Sequence, residues 1–242
     1  MVWFPEQTDF RISGLRISIV DGKLQVPPVE ASTRTDVWHH WLHTGIEHLA
    51  YARGFAESAL KARHSDDDEA AGEAVASECR ASMVSAASAA FAVDGLHAAI
   101  KERIQIPPNF SAAWKQNRTA RPKQVLEVLK IGCEVADREA KLDHAIQTIF
   151  KFRDWSAHPP AEFRETVFRD DLRVGVPWQY VAFSASNASQ LVTAALDVAT
   201  LCVWRPKLTW ANLVVWAENK RGLVDQLRVS AGLAPHDPGN TD

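Results

Sequence analysis

Residues 10–26 alternate apolar and polar positions in the manner of β-strands. Apolar residues occupy alternate positions on both sides of Asp21-Gly22, and Pro27-Pro28 ends the pattern. An Asp-Gly pair between two such segments is typical of a tight hairpin turn. We therefore predict a β-hairpin over residues 10–26, within an N-terminal appendage formed by residues 1–30.

From residue 35 the apolar spacing changes to three and four, the period of an amphipathic helix. Between residues 65 and 78 there are six acidic residues and no Lys or Arg, a composition that favours a helix start because carboxylates complement the positive end of the helix dipole. The pattern predicts helices over residues 36–62, from the acidic cluster to a stop at Pro107-Pro108, from Pro122 onwards, and over 137–157, 189–204 and 209–229.

Two further segments complete the predicted organisation. Residues 176–183 have a strand-like composition, and Asn187 or Ser189 is the expected cap of the helix that follows. The tail over residues 234–242 is rich in turn-forming residues, and we expect it to be disordered. The predicted fold class is mainly α: a helical domain over residues 31–233, preceded by the N-terminal hairpin.

The net charge conceals two local patches of opposite sign. The 27 Lys and Arg residues nearly balance the 30 Asp and Glu residues, for a formal net charge of -3. This balance excludes a strongly basic or polyacidic chain, but not a local polyanion site. The acidic stretch at 65–78 and a basic stretch at 101–123 account for much of the cancellation.

The cysteines and the N-terminus indicate the compartment. Cys79, Cys133 and Cys202 are too far apart in sequence for a compact zinc motif or a disulfide-rich scaffold, so we expect them to be buried and reduced. The N-terminus has acidic residues where a signal peptide needs basic ones, and no continuous apolar run reaches 18 residues. We expect a cytoplasmic protein with no membrane partner.

The most informative segment lies at the end of the helix predicted over 137–157. At 100° per residue, Leu142, Ile146 and Ile149 define an apolar stripe, and Arg153 falls within that stripe. A buried guanidinium needs a carboxylate, a phosphate or a second subunit as partner. His158 lies where prolines end the helix, so the following loop can turn the imidazole toward Arg153, although helical geometry alone separates them by about 140°.

An arginine beside a histidine suits the cleavage of a phosphodiester. The guanidinium can hold the phosphate and stabilise charge that develops in the transition state, while the imidazole accepts or donates a proton. With RNA, the substrate's own 2′-OH is the nucleophile, so the chemistry requires no metal ion or other cofactor.

The run Arg153-Asp154-Trp155-Ser156-Ala157-His158 resembles the signature of the HEPN (higher eukaryotes and prokaryotes nucleotide-binding) superfamily. That signature is an Arg followed after four to six residues by His, often with Asn, Asp or His directly after the Arg. The resemblance covers mainly the helical region from about 36 to 204, and it implies an antiparallel helical bundle. The hairpin and the helix at 209–229 are additions to the minimal bundle of the family.

The resemblance also implies a function. Many members are metal-independent endoribonucleases of toxin, phage-defence or RNA-processing systems, in which two protomers bring their motifs together in a cleft. It implies that Arg153 binds the scissile phosphate, that His158 acts as general acid or base, and that Asp154 orients them. RNA, a second copy of the chain and an antitoxin protein are the partners implied.

Other interpretations of this motif stay open. Arg34 with His39 or His40, and Arg138 with His144, have similar spacings. Arg153 can instead make a buried ion pair while His158 merely caps the helix, which makes the bundle a non-catalytic dimerisation or partner-binding module.

The basic stretch offers a second contact with RNA. Between residues 101 and 123 there are six Lys and Arg and one acid, interleaved with Phe110 and Trp114. The aromatic rings can stack on bases while the cations follow phosphates, or they can fold back on the core and leave a solvated loop. The predicted RNA-binding residues are Trp114, Lys115, Arg118, Arg121 and Lys123.

A histidine cluster gives a weaker third hypothesis. His39, His43 and Glu47 share one helix face and can present three metal ligands, or they can form a solvent-facing cluster. No second helix offers a matching set, so we predict no metal site. Arg53 is another candidate for a buried cation, with Asp94 or Glu47 as its expected partner.

Overall fold

The structure is a computed structural model that describes residues 8–13, 18–20, 23–25, 30–158, 162, 165–237 and 239, with side chains described from residue 32 onwards. The chain divides into two compact units, residues Met1–Val37 and Trp38–Asp242. The first unit extends beyond the predicted boundary at residue 30, because a further strand belongs to it.

The N-terminal unit contains two antiparallel strand pairs: β1 (Thr8–Ser13) with β4 (Glu30–Thr35), and β2 (Ser18–Val20) with β3 (Lys23–Gln25). Val20 pairs with Lys23, which confirms the predicted hairpin in a shorter form, while Asp21-Gly22 lies outside the described residues. The strand β4 was not predicted, because its sequence EASTRT lacks apolar alternation.

The second unit is mainly helical, as predicted. A short antiparallel hairpin, β5 (Val167–Arg169) with β6 (Val174–Val176), interrupts the helices. The helices are α1 (Trp38–His64), α2 (Asp68–Lys101), α3 (Pro108–Gln116), α4 (Arg121–Gly132), α5 (Glu139–Ala157), α6 (Trp178–Ala182), α7 (Ala185–Trp204) and α8 (Ala211–Ser230).

Helix α2 is the centre of this unit and packs against α1, α4, α5 and α7. Its small residues bring α1 close: a Cβ on Gly95 would lie 3.1 Å from the Cα of Trp38, and the Ser85 hydroxyl donates to the Gly45 carbonyl at 2.8 Å. The N-terminus of α2 is capped by Asp67, whose carboxylate accepts from the Ala70 N–H at 3.0 Å. The acidic cluster therefore starts the helix, as its composition predicted.

One described helix is long and apolar enough to cross a membrane. An 18-residue window of α2 has a mean hydropathy of 1.4, and 61% of that window is buried by the rest of the protein. Such burial is typical of the core helix of a soluble protein.

Three local predictions are wrong. Residues 176–183 were expected to form a strand, but Pro177 starts the short helix α6 with φ −54°. Proline at a helix start is favourable because its fixed φ suits the first turn. Helix α7 is capped by Ser184, not by Asn187 or Ser189, since the Ser184 hydroxyl accepts from the Asn187 N–H at 3.4 Å. Helix α3, which also begins at a proline, was not predicted.

The first residues of the predicted disordered tail contact the bundle. The Arg228 guanidinium donates to the Ala234 carbonyl at 3.0 Å, and the His236 N–H donates to Asp225 at 2.9 Å. The prediction of disorder is therefore wrong for these positions, and residues 238 and 240–242 lie outside the described part of the chain.

A buried carboxylate joins three segments of the helical unit. Glu78, on α2, is 1% exposed, and its Oε2 lies 2.7 Å from Nη1 of Arg169, which is 7% exposed. The other oxygen, Oε1, accepts from the Ala185 N–H at the start of α7 at 2.8 Å. Arg169 also donates twice to Asp171, at 3.0 Å each. Burial lowers the pKa of Arg169, but hydrogen bonds to both carboxylates raise it above its ordinary value.

Removal of this carboxylate should destabilise the fold strongly. Glu78→Ala leaves Arg169 buried with only the half-exposed Asp171 as ionic partner, and we expect it to lower the free energy of unfolding by about 3–5 kcal/mol. Glu73→Ala, at an exposed acid on the same helix, should change it by less than about 0.5 kcal/mol. Urea denaturation measures both, and equal effects would show that the buried pair is not a structural requirement.

Candidate functional site

Helix α5 carries the predicted catalytic residues at its C-terminal end. Leu142, Ile146 and Ile149 are buried, as the apolar stripe predicted. Arg153 continues this stripe at the edge of the core, where its side chain is 29% exposed. Its guanidinium carbon lies 4.7 Å from the centre of the Phe150 ring. The structure therefore places Arg153 between core and solvent, and its charge stays accessible.

Asp154 binds the Arg153 guanidinium. Nε and Nη2 of Arg153 both donate to Oδ1 of Asp154, at 3.0 and 2.6 Å. At 100° per residue, Phe150 and Asp154 lie about 60° and about 100° around the helix axis from Arg153, both on the side toward His158. The contact with the buried Phe150 keeps the guanidinium at the edge of the core, and Asp154 holds it on the side toward His158.

His158 is the C-terminal cap of α5. Its backbone N–H donates to the Asp154 carbonyl at 2.8 Å, so helical geometry continues up to this residue. The side chain is exposed, and it has no hydrogen bond or ion pair with any other described residue. In particular, no hydrogen bond joins His158 to Arg153, and the backbone leaves helical geometry at His158, with φ −138° and ψ 65°.

Four aromatic rings fix this end of α5. Phe152 contacts Phe183 at 5.9 Å and Trp155 at 5.1 Å between ring centroids, and Trp155 contacts Trp178 at 5.5 Å. The ammonium of Lys151 lies 4.5 Å from the centre of the Trp155 ring. These contacts join α5 to α6 and to the start of α7, so the backbone that carries Arg153 and His158 is held from the side.

Neither protein-family models, nor curated proteins, nor solved structures gave a match to the chain. The chemistry open to the end of α5 follows from its side chains. Arg153 can bind an anion if Asp154 releases it or shares it, and the exposed imidazole of His158 is free to transfer a proton.

The basic stretch forms a separate surface, around α3 and the start of α4, and its predicted tryptophan points inward. Trp114 is 8% exposed, and its indole N–H donates to the Glu127 carboxylate. Phe110 packs beside it, with ring centroids 6.4 Å apart. We expected Trp114 to be able to stack on bases, but the aromatic rings of this stretch fold back on the core, so Trp114 does not present a ring face to solvent.

The predicted cations of this stretch differ in availability. Lys115, Arg118 and Lys123 are exposed, and the last two line a groove of about 470 Å³ that also contains Glu127. Arg118 ends α3 in the left-handed conformation, with φ +47°, which usually favours glycine. The groove thus combines two cations with one carboxylate.

Arg121 is part of a structural network. It donates to Asp94 at 2.5 Å, and its Nη2 lies 3.0 Å from Nδ1 of His97. His97 is 2% exposed, and burial together with the positive charge of Arg121 lowers its pKa to about 4. A neutral His97 accepts a hydrogen bond from Arg121 through Nδ1. The Arg121 guanidinium therefore joins α4 to α2.

The histidine cluster does not assemble as a metal site. His39 is 7% exposed, whereas His43 and Glu47 are 65% and 55% exposed and lie 3.5 Å apart. Among the described residues, no group of three or more His, Cys, Asp or Glu side chains has an arrangement that holds a metal ion. Arg53 also has a different partner from those expected, because it donates to the Ser189 hydroxyl at 2.9 Å.

The cysteines are buried and free, as predicted. Burial, followed by the charge of Glu78, raises the pKa of Cys79 to about 11. This thiol is therefore protonated near neutral pH and is a poor nucleophile.

Sequence reasoning missed two groups around the site. Lys151 and Trp155 stand seven and three residues before His158, and this spacing places them on the same helix face. The spacing can be read from the sequence, so it is a signal that could have identified both residues. The contact of Trp155 with Trp178 and the pair of Glu78 with Arg169 join residues 23 and 91 positions apart. No local pattern indicates such contacts.

The buried His97 should make stability depend on pH. Its pKa in the fold is about 4, against an ordinary value of 6.5, so the unfolded chain binds more protons between these values. Its contribution is fully present above about pH 6.5 and is lost as the pH falls toward 4. We expect the free energy of unfolding to fall by about 2 kcal/mol between about pH 7 and pH 5 because of this group.

Urea denaturation at the two pH values measures this effect. His97→Gln should abolish that part of the pH dependence, whereas His144→Gln, at an exposed histidine of α5, should retain it. If His97→Gln keeps the full dependence, the acid sensitivity arises elsewhere.

Proposed function

We propose that the protein is a metal-independent endoribonuclease with an HEPN-like helical bundle, acting in a toxin or phage-defence system. The observation that carries the proposal is the end of α5, where Asp154 holds the Arg153 guanidinium on the side of the helix toward the exposed His158. A guanidinium held in place and an exposed imidazole at the same helix end supply the two functions that phosphodiester cleavage of RNA requires.

The reaction assigns a distinct task to each group. The 2′-oxygen of the substrate forms a bond to phosphorus while the bond from phosphorus to the 5′-oxygen breaks. One imidazole removes the 2′-OH proton, a second, protonated imidazole donates a proton to the 5′-oxygen, and Arg153 stabilises the charge on the phosphoryl oxygens. The products are a 2′,3′-cyclic phosphate and a 5′-hydroxyl, and no metal ion takes part.

This scheme needs two copies of the chain. A single histidine cannot be neutral base and protonated acid at once, and each chain supplies one His158 at this position. The absence of a contact between Arg153 and His158 within the described protomer agrees with a cleft that two motifs complete together. We therefore propose a homodimer, with an antitoxin protein as its regulator.

Purified protein should cleave single-stranded RNA in the presence of EDTA and leave a 2′,3′-cyclic phosphate. His158→Ala should lower the rate by at least about 100-fold, because the proton transfers lose their donor or acceptor. His144→Ala is the matched control: it is exposed on the same face of α5, about 21 Å along the helix. Equal rates for the two variants would exclude His158 from the reaction.

Mixed dimers test whether both histidines are needed. When wild-type and His158→Ala chains are mixed equally and allowed to exchange, only wild-type pairs contain two imidazoles. The activity should then fall to about one quarter of that of the same total amount of wild-type protein, if chains pair at random. A fall to about one half would show that one His158 suffices, and the acid and base would then be different groups.

A non-catalytic dimerisation or partner-binding module is the second candidate function. The observation that favours it is an exposed aromatic surface on α1 and α2, where Trp41 and Phe91 are 39% and 41% exposed and their ring centroids lie 4.9 Å apart. Exposed apolar patches of this kind are typical of interaction sites. Binding of RNA or a partner without turnover, by wild-type and His158→Ala proteins alike, would favour this module.

A further inference from the structure

We infer that Lys151 and Trp155 form a binding site for single-stranded RNA beside His158, with Trp155 stacking on a base and Lys151 binding a phosphate. This inference deepens the proposed function and rests on it for the identity of the ligand. It moves the RNA contact from the basic stretch around α3 and α4 to the exposed face of α5.

The register of α5 brings the residues of this site together. Lys151, Asp154, Trp155 and His158 are spaced at i, i+3, i+4 and i+7, so they lie within about 100° on one side of the helix. That side is opposite the buried stripe of Leu142, Ile146 and Ile149. A ligand bound to Lys151 or Trp155 therefore lies on the face that ends at His158, the C-cap of the helix.

The side chains on this face are accessible to solvent. Lys151 and His158 are exposed, the side chain of Asp154 is 62% exposed, and Trp155 is half-buried. Contacts with Phe152 and Trp178 hold the indole in place from the protein side. A tryptophan that is fixed by its neighbours and reached by solvent is suited to base stacking, because little side-chain freedom remains to be lost.

The charges on this face favour binding of a phosphate. Asp154 alone would repel a phosphate, but its carboxylate is neutralised by Arg153, with both hydrogen bonds to the same oxygen. Lys151 is then the cation for a second phosphate, since the proposed reaction assigns the scissile phosphate to Arg153. Its ammonium lies over the Trp155 ring at 4.5 Å. A stacked base gains more free energy than this exposed cation–π contact provides, so the base displaces the ammonium outward, toward the phosphate of the same strand.

The basic stretch is a weaker site by the same criteria. Trp114 is buried and bonded to Glu127, and Arg121 is bound by Asp94. Of the residues predicted there, Lys115, Arg118 and Lys123 remain exposed, and the groove that Arg118 and Lys123 line is shared by the half-buried ring of Phe110 and by the carboxylate of Glu127.

The test measures binding of a fluorescein-labelled single-stranded oligoadenylate by anisotropy, with full-length His158→Ala protein so that the probe is not cleaved. In this background, Trp155→Leu should weaken binding about tenfold at every salt concentration. Lys151→Ala should weaken binding and reduce the slope of log Kd against log salt concentration by about 0.7, as expected for one lost phosphate contact with a single strand. Lys151→Arg should restore both values.

Two matched variants serve as controls. Lys141→Ala removes another exposed lysine of α5, and Trp204→Leu removes a half-buried tryptophan that also carries a cation over its ring, Arg221 at 4.6 Å. Both should bind RNA as the parent protein does. If Trp155→Leu fails to fold, the Lys151 series decides alone, since an exposed lysine does not contribute to the core.

The outcomes separate this inference from the proposed function. If Lys151→Ala and Trp155→Leu bind like the controls while cleavage still depends on His158, the inference is overturned and the nuclease stands. If binding depends on Lys151 and Trp155 but wild-type protein cleaves no RNA, the site stands and the catalytic proposal falls.

Discussion

The buried carboxylate of Glu78 is the constraint on which the arrangement of the helical unit depends. A charge that is 1% exposed must be paired, and its two oxygens bind a guanidinium from the β5–β6 hairpin and the first N–H of α7. Neither hairpin nor helix can move away from α2 without leaving a buried polar group unpaired. The start of α7 is thereby fixed, and Phe183, just before it, forms the surface against which Phe152 of α5 packs.

This chain of contacts explains how an exposed site can be held in place. The backbone of α5 is fixed by its buried stripe and by aromatic rings on α6 and before α7, while Arg153 lies at the edge of that stripe and His158 is exposed at the helix end. In the proposed reaction, Arg153 would bind a phosphate by exchanging or sharing its partner Asp154, which is at the surface. Such an arrangement keeps the cost of ordering low at the moment a ligand binds.

The sequence predicted those elements that bury one face along their whole length. Helix α1 was placed within two residues at each end, and α5 within two at its start, because their apolar residues recur with the helical period. The strand β4 could not be predicted, since its six residues form a strand by pairing with β1 and not through their own pattern. Pro177 was misread because VPWQYVAF satisfies both a strand composition and a proline-initiated helical turn. Within the candidate site, the helical period predicts which residues of α5 share a face. The contact of Trp155 with Trp178 depends on the tertiary fold and could not be predicted.

The basic stretch shows why charge counted along a sequence differs from charge available to a ligand. Of its predicted cations, Arg121 neutralises Asp94 and contacts a histidine that burial keeps neutral, so its guanidinium acts within the fold. At the end of α5 the count is smaller, but Asp154 is matched by Arg153, and the ammonium of Lys151 lies over the Trp155 ring. Phosphate binding depends on uncompensated, exposed cations, which is why we propose Lys151 beside the indole as the RNA contact. In the basic stretch, one guanidinium and one indole act within the fold, while two of the exposed cations share their groove with a carboxylate.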